Sequence, residues 1–402
     1  MAYKIGSFNV RGLQQKEGKE QDFNIIADII KGIKPVDIHG KKKKEASPFT
    51  IVALQEVVNE DQFNSFKNYY LGKPWNGYYV KPDSFSNSSA KGYAYVWNED
   101  EVELMYGEKS KDEKFYPHIL NEFEDNKVSM DLSEMSKLTR KPMYARFRMK
   151  SCNMELRLLN VHITFGISKA MPDEYKEASG VRQRKEEFRI LTEIVYPAVN
   201  KFVYKNGCNN YYTIMLGDYN LNLYRKWTKG TRIYDQLASK AEIKPIIDSL
   251  TVAERGALRL ALYETMPHID KEKFVIDDQS IVTLQDALTT LKNNLSGNKA
   301  NRIINMFEKK KLEVSDAIEK LIELAGDEYK VFHSNYDHFT YDEKRFDGVT
   351  INRPYRMDSI IDDYFRTSNP NVRTGAEAAE MYKKMVSDHI PIVMEIDLRD
   401  GR

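Results

Sequence analysis

Apolar residues along this chain follow two periods. Tyr3 to Val10, Ile51 to Leu54, Tyr93 to Trp97, Met143 to Met149, Glu155 to Ile163, Tyr211 to Leu216 and Ile390 to Ile396 are short apolar or alternating runs, the pattern of β-strands. Gln21 to Lys31 carries Phe23, Ile25, Ile26, Ile29 and Ile30 at helical spacing. Glu60 to Tyr70 reads as a second helix and Val181 to Phe202 as a long amphipathic one. Strands joined sometimes directly and sometimes through helices predict layered α/β packing, with sheets covered by helices.

Three stretches stand apart from this pattern. His39 to Ser47 holds the run Lys41-Lys42-Lys43-Lys44, which reads either as a solvated loop or as a loop that contacts phosphate. Ser84 to Gly92 is rich in Ser, Asn and Gly, a loop composition. Thr231 to Leu324 is mostly helical in pattern and carries no evident catalytic cluster. It predicts a helical insertion, residues 231–324, within one domain spanning 1–402. Such an insertion could be a lid or a docking surface for a regulatory protein partner.

The chemistry lies where the strands stop. Ile5-Gly-Ser-Phe-Asn9 ends in an amide, Ile51-Val-Ala-Leu-Gln-Glu56 in a carboxylate and Leu158-Leu-Asn-Val-His162 in an imidazole. Ile214-Met-Leu-Gly-Asp218-Tyr-Asn220 ends in a carboxylate and an amide two residues apart, and Ser387-Asp388-His389 precedes the last apolar strand. Each ending alone has a plainer reading. Asp218 and Asn220 could form a turn or a helix cap, and His162 could be a core histidine with its hydrogen bonds satisfied. Five such endings together point to a site, because open α/β sheets gather ligands at strand ends.

Composition narrows the classes. The 402 residues are 41% hydrophobic and 30% charged, which supports a sizeable core and excludes wholesale disorder. Lys+Arg is 61 and Asp+Glu is 60, a net charge of +1, so any nucleic-acid binding must use local patches. The two cysteines, Cys152 and Cys208, fit a reducing compartment. No apolar run approaches the roughly 18 residues of a membrane span, and Met1-Ala-Tyr-Lys leads straight into a strand pattern. A cytoplasmic protein without a membrane partner is the expectation.

The donor types suit divalent-cation phosphate chemistry. Mg²⁺ (or Mn²⁺) is hard and takes oxygen ligands, which Glu56, Asp388 and Asn9 can offer. Histidine handles protons near neutral pH. The chain has no CxxC pair, no HExxH, no Walker A sequence and no GxSxG.

The order Asn, Glu, His, Asp-x-Asn, Asp-His resembles the endonuclease/exonuclease/phosphatase superfamily, and its deoxyribonuclease I-like branch in particular. The segments that carry the resemblance are Ser7-Phe-Asn-Val-Arg11, Leu54-Gln-Glu-Val57, Asn160-Val-His162, Gly217-Asp-Tyr-Asn220 and Ser387-Asp-His-Ile-Pro391. Gly92-Tyr-Ala-Tyr-Val-Trp-Asn98 looks like that branch's central strand, and Arg140-Lys-Pro142 like its phosphate-contacting segment. The resemblance implies a four-layered α/β sandwich of two mixed sheets flanked by helices. It implies metal on Glu56 with Asp388 and Asn9 nearby, and a catalytic set of His162, Asp218, Asn220, Asp337 and His389. Arg140, Asn9 and Arg11 would bind substrate. The acidic partner of His389 would be Asp337 or Asp358, with Asp337 favoured because an apolar run leads into it from Val331.

The fold does not choose the substrate. A metal-dependent DNA endonuclease of low sequence specificity is the first expectation. The Arg140 segment, Tyr93 and Tyr95, and the basic loop with Arg225, Lys226, Trp227, Lys229 and Arg232 favour it. The alternatives are a phosphatase or phospholipase acting on inositol phosphates or lipid headgroups, and an inactive binding module on the same scaffold.

Overall fold

The computed structural model describes residues 2–16, 19–33, 48–81, 91–105, 117–120, 132–164, 183–204, 206–221, 336–342, 349–357, 359–361, 364–365, 371–372 and 375–398. The expected insertion at 231–324, the lysine run at 41–44, the basic residues at 225–232 and Asp358 lie outside them.

In chain order the strands are β1 (Ala2–Leu13), β2 (Gln15–Lys16), β3 (Lys19–Glu20), β4 (Ile51–Val57), β5 (Trp75–Val80), β6 (Gly92–Asn98) and β7 (Val102–Met105). They continue as β8 (His118–Ile119), β9 (Met143–Met149), β10 (Met154–His162), β11 (Tyr211–Asp218), β12 (Asp337–Tyr341), β13 (Val349–Arg356) and β14 (Ile392–Leu398). One six-stranded sheet has the order β13-β14-β1-β4-β6-β5. The other has the order β12-β11-β10-β9-β7, with β8 also paired to β9. Both are mixed: β1 runs parallel to β4 and antiparallel to β14, and β10 runs parallel to β11 and antiparallel to β9. β2 and β3 form a separate small hairpin.

The described helices include α1 (Phe23–Lys31), α2 (Glu60–Ser65), α3 (Leu132–Met135), α4 (Tyr196–Lys201), α5 (Ser359–Ile361) and α6 (Gly375–Met385), and residues 183–190 are helical as well. α1 starts where the Asp22 side chain accepts from the Asn24 and Ile25 amides, and stops at Gly32, which takes φ 67°. The two longer helices expected from periodicity are each interrupted by a π-helical turn, Phe66–Leu71 after α2 and Leu191–Val195 before α4. The first lets Phe66 and Leu71, five residues apart, both reach the core. In the second, Pro197 has no N–H to give the preceding turn, and the hydrogen-bond ladder loosens there.

Alternation along the central strands builds four layers. On β4, Val52 and Leu54 face outward onto α1, α2 and α6, among Ile26, Ile30, Phe63 and Tyr382. Ile51 and Ala53 face inward, and with Tyr95, Phe147, Leu156, Leu158, Ile214 and Met394 they fill the space between the sheets. Leu159, Val161 and Met215 face outward from the second sheet onto Phe188, Leu191, Val195 and Val199 of the 183–201 helical segment. This is the four-layered α/β sandwich. β4 and β10 are buried on both faces; β4 opens on the apolar run Ile51 to Leu54, whereas β10 carries Glu155 and Arg157 on its outer face, buried as ion-pair partners.

Three polar arrangements tie these layers. Gln55 Nε2 donates to Asn160 Oδ1 across the inter-sheet space at 2.8 Å. Tyr95 Oη donates to the carbonyls of Met143 and Leu158 on the opposite sheet. On the outer face of the second sheet, Glu155 accepts from Arg146 and Arg157, both at 2.8 Å and all three buried. Arg157 also donates to the carbonyls of Val199 and Phe202, closing the C-terminal end of α4.

Candidate active site

Successive strand residues point to opposite faces, so each central strand sends every second side chain into the inter-sheet core. On β1 that series is Tyr3, Ile5, Ser7 and Asn9, and on β4 it is Ile51, Ala53 and Gln55. On β10 it is Leu156, Leu158, Asn160 and His162, and on β11 Tyr212, Ile214, Leu216 and Asp218. All four series change from apolar to polar at the same end of the sandwich. The candidate site is this polar end of the inter-sheet core.

Strand register sets its geometry. Parallel pairing of β10 with β11 puts His162 level with Asp218, and antiparallel pairing of β11 with β12 puts Asp218 level with Asp337. In the other sheet, Asn9 is level with Gln55. The β4–β6 ladder pairs Gln55 with Tyr93 and Val57 with Gly92, leaving Glu56 as an extra residue. It is a bulge, with Glu56 at φ 61°. Arg11 at φ 50° and Asn220 at φ 49° are also left-handed, a conformation that costs roughly 1–2 kcal/mol for a side-chain-bearing residue. Gly217, at φ 147°, has no room for a side chain: a Cβ there would lie 1.9 Å from the Val161 carbonyl oxygen. Its bare backbone lets β11 run close to β10 one residue before Asp218.

Asn9 joins the two sheets. Its Nδ2 lies 2.9 Å from Asp218 Oδ2, 3.3 Å from Glu56 Oε1 and 3.4 Å from His389 Nε2. Its Oδ1 accepts from the Arg11 amide at 3.0 Å. In this arrangement Asn9 presents N–H, not a lone pair, to the carboxylates. Asp218 is braced by Asn220, whose amide donates to Oδ1 at 2.9 Å and whose Nδ2 reaches Oδ2 at 3.3 Å. Asp218 Oδ2 stands 3.6 Å from His162 Nε2 and 3.7 Å from His389 Nε2, between the two imidazoles.

The two histidines have opposite electrostatics. Burial disfavours charge on His162, and Arg140 and His389 add to that; Asp218 and Glu56 do not offset it, and its pKa falls to about 4. Arg140 Nη1, 2.6 Å from His162 Nδ1, can only donate, so the ring proton belongs on Nε2. His389 is also opposed by burial, but Asp337 and Asp218 outweigh it and raise its pKa to about 10. Its Nδ1 lies 2.8 Å from Asp337 Oδ2. At neutral pH His162 is a neutral Nε2–H donor and His389 an imidazolium. Burial also raises Asp218, despite both imidazoles. Burial pushes Glu56 up too, but His162, Lys91 and Asn9 prevail and hold it down at about 2.

The donor set fits a hard divalent cation. Glu56 is ionised, and Asp388 Oδ1 is buried with no hydrogen-bond partner among the described residues, while its Oδ2 lies 3.3 Å from Arg11 Nε. Asp218, Asp337 and His389 also bring ligand atoms within 4.8 Å of one another. The charge on His389 and its Nδ1 bond to Asp337 make that trio better suited to holding a proton than a cation.

Several sequence expectations change here. Arg140, expected to contact phosphate, places one guanidinium nitrogen, Nη1, against His162 Nδ1. Tyr93 and Tyr95, read as favouring nucleic acid, are buried at 1% and 0% exposure and cannot stack on a base. Instead, Tyr93 Oη accepts from the His162 amide at 3.1 Å. Asp337 reaches His389, as favoured over Asp358; residues 331–335, the apolar run expected to lead into it, lie outside the described residues. Sequence reasoning missed Lys91, whose Nζ is paired with Glu56 Oε2. It also missed Ser387, which donates to the Asn9 carbonyl at 2.6 Å and accepts from the His389 amide at 3.0 Å. Buried Glu187 escaped notice as well; it accepts from Thr139 at 2.6 Å and so anchors the segment carrying Arg140. Ser387 stood in the motif without a role of its own, and Lys91 just before the glycine that opens β6; Glu187 had no such signal.

No family model and no curated protein matches the chain. Solved structures similar to it include an endonuclease/exonuclease/phosphatase family protein from Bacteroides thetaiotaomicron, at 15% identity over 100% of this chain and 99% of that one, with a TM-score of 0.43. A mannosyl-6-phosphatase from the same organism is 14% identical over 98% of this chain and 99% of that one, with a TM-score of 0.42. TDP2 of D. rerio, complexed with single strand DNA product, is 10% identical over 98% and 99%, with a TM-score of 0.42. At these values the likeness carries no argument about activity, and the architecture rests on the sheets and helices themselves.

Proposed function

We propose that this chain is a divalent-cation-dependent phosphoester hydrolase of the endonuclease/exonuclease/phosphatase type, cleaving phosphodiesters in a nucleic-acid backbone, DNA first. The observation that carries this reading is Asp218 Oδ2 standing between two imidazoles of opposite protonation, beside an ionised glutamate.

A Mg²⁺ or Mn²⁺ ion held by Glu56 and Asp388 would neutralise phosphate charge and polarise the phosphorus. Asp218, raised by burial and oriented by Asn9 and Asn220, suits the acceptor of a proton from the attacking water. The His389 imidazolium, fixed by Asp337, supplies positive charge for the phosphoryl oxygens. His162, neutral and with Arg140 against Nδ1, would hydrogen-bond the departing oxygen through Nε2–H without surrendering the proton.

A polyanionic substrate is supported by an open groove of ≈ 460 Å³ lined by Arg11, Glu380, Met381, Lys383 and Lys384. Arg11 belongs both to this groove and to the site, through Asp388. Three cations against one carboxylate suit the phosphates that flank a scissile one.

The test is nicking of supercoiled plasmid in Mg²⁺, with EDTA and His162→Ala as controls. The reading predicts nicking that EDTA abolishes and His162→Ala slows by about 10²–10⁴-fold. Intact plasmid alongside release of phosphate from inositol phosphates or lipid headgroups would move the substrate to that class. No cleavage and no metal binding would make the chain a binding module.

A further inference from the structure

Lys91 has no part in the mechanism above, yet its ammonium is paired with Glu56, the carboxylate read as the principal metal ligand. The lysine is placed by the fold. It precedes Gly92, which pairs with Val57 across the bulge that turns Glu56 toward the site. Its side chain lies along Gly12, where an added Cβ would meet both Cε and Nζ of Lys91 at 3.2 Å. The two oxygens of Glu56 have different surroundings. Oε1 takes the Asn9 amide at 3.3 Å and faces His162 Nε2 at 3.7 Å, while Oε2 takes Lys91. Oε1 is thus turned to Asn9 and His162, and Oε2 to the lysine. The side chains of Lys91 and Glu56 are 35% and 20% exposed, so the ammonium has a route to water.

We propose that the Lys91 ammonium and the divalent cation compete for Glu56 Oε2, with Lys91 acting as a built-in counter-ion that the metal displaces. An ammonium and Mg²⁺ or Mn²⁺ are both compact cations suited to a carboxylate oxygen, and the divalent ion has twice the charge. Lys91 keeps the bulged carboxylate ionised and correctly aimed, and it sets a threshold that the metal must exceed. This proposal rests on Glu56 being a metal ligand.

The test uses the full chain and Mn²⁺ alone. Calorimetric titration of wild type and Glu56→Gln examines the ligand reading: wild type should bind and Glu56→Gln should lose most of the affinity. Lys91→Met should then bind Mn²⁺ about fivefold more tightly than wild type, with Lys91→Arg close to wild type. Removing any nearby positive charge would favour the metal, so a second readout isolates displacement. Reductive methylation followed by mass spectrometry should show Lys91 labelled several-fold faster with Mn²⁺ than without, while Lys31 is unchanged. Mn²⁺ binding that needs Glu56 but leaves Lys91 labelling unchanged or slower overturns the exchange and spares the ligand reading. Absence of Mn²⁺ binding, or binding that survives Glu56→Gln, overturns the ligand reading and the exchange together.

Discussion

Arg140 Nη1 stands 2.6 Å from His162 Nδ1, and this contact fixes which ring nitrogen carries the proton. A guanidinium has no acceptor, so Nδ1 must supply the lone pair and Nε2 the N–H. Arg140→Met should therefore let His162 populate both tautomers, read by ¹⁵N NMR of the ring. The turnover rate should fall by about tenfold, less than for His162→Ala, because the imidazole remains. An unchanged tautomer ratio would mean that the arginine does not set it.

The two imidazoles should titrate far apart. In EDTA, NMR titration should place His162 at about 4 and His389 at about 10. The consequences for stability have opposite signs. His162 lies below the ordinary 6.5, so its contribution is present above pH 6.5 and is lost as pH falls through about 4. His389 lies above 6.5, so its contribution is present below pH 6.5 and is lost as pH rises through about 10. Asp337→Asn should bring the His389 titration down markedly. A His389 that titrates near 6.5 in wild type would contradict the Asp337–His389 pairing.

The close passage of β11 beneath Val161 predicts that Gly217→Ala is poorly tolerated. The new Cβ would strike the Val161 carbonyl, and φ 147° is strained for any side chain. Chemical denaturation should show a loss of more than about 1 kcal/mol. Activity should also fall, because His162 and Asp218 are aligned through this pairing. Unchanged stability would mean that the β10–β11 spacing can relax.

Glu155 is the shared ion-pair partner of two buried guanidiniums, those of Arg146 and Arg157. Breaking a buried pair by removing one partner costs about 3–5 kcal/mol, because it strands the remaining charge. Glu155→Ala should lower the denaturation midpoint strongly. This cluster lies on the outer face of the second sheet, away from the inter-sheet site, so the folded fraction should keep its metal affinity. A neutral effect on stability would show that water or a rearrangement compensates.

What the sequence makes legible, and what it hides, follows from strand geometry. Asn9, Glu56, His162, Asp218 and His389 stand out because each interrupts an apolar run, and a polar residue at that point shows without knowledge of the fold. Lys91 does not stand out, because a lysine beside a Ser- and Asn-rich loop looks like solvated surface; the bulge at Glu56 turns it into a partner. Arg140 is visible as a cation but not for its target, since the β10 register that brings His162 within reach is a tertiary fact. Tyr93 and Tyr95 alternate as a half-exposed strand would, yet the second sheet covers them. Trp75–Val80, Val102–Met105 and Val349–Arg356 escape a pattern reading because they are edge or near-edge strands, mixed in polarity and held by pairing with their neighbours.

The most direct measurement is a Mg²⁺ titration of plasmid nicking by wild type, Glu56→Gln and Asp218→Asn, each first shown to be folded. Wild type should cleave with saturable dependence on Mg²⁺, Glu56→Gln should need far more metal, and Asp218→Asn should bind metal yet turn over at least about 10²-fold more slowly. Cleavage by wild type that is indifferent to Mg²⁺ and EDTA, or an Asp218→Asn variant as fast as wild type, would contradict the account.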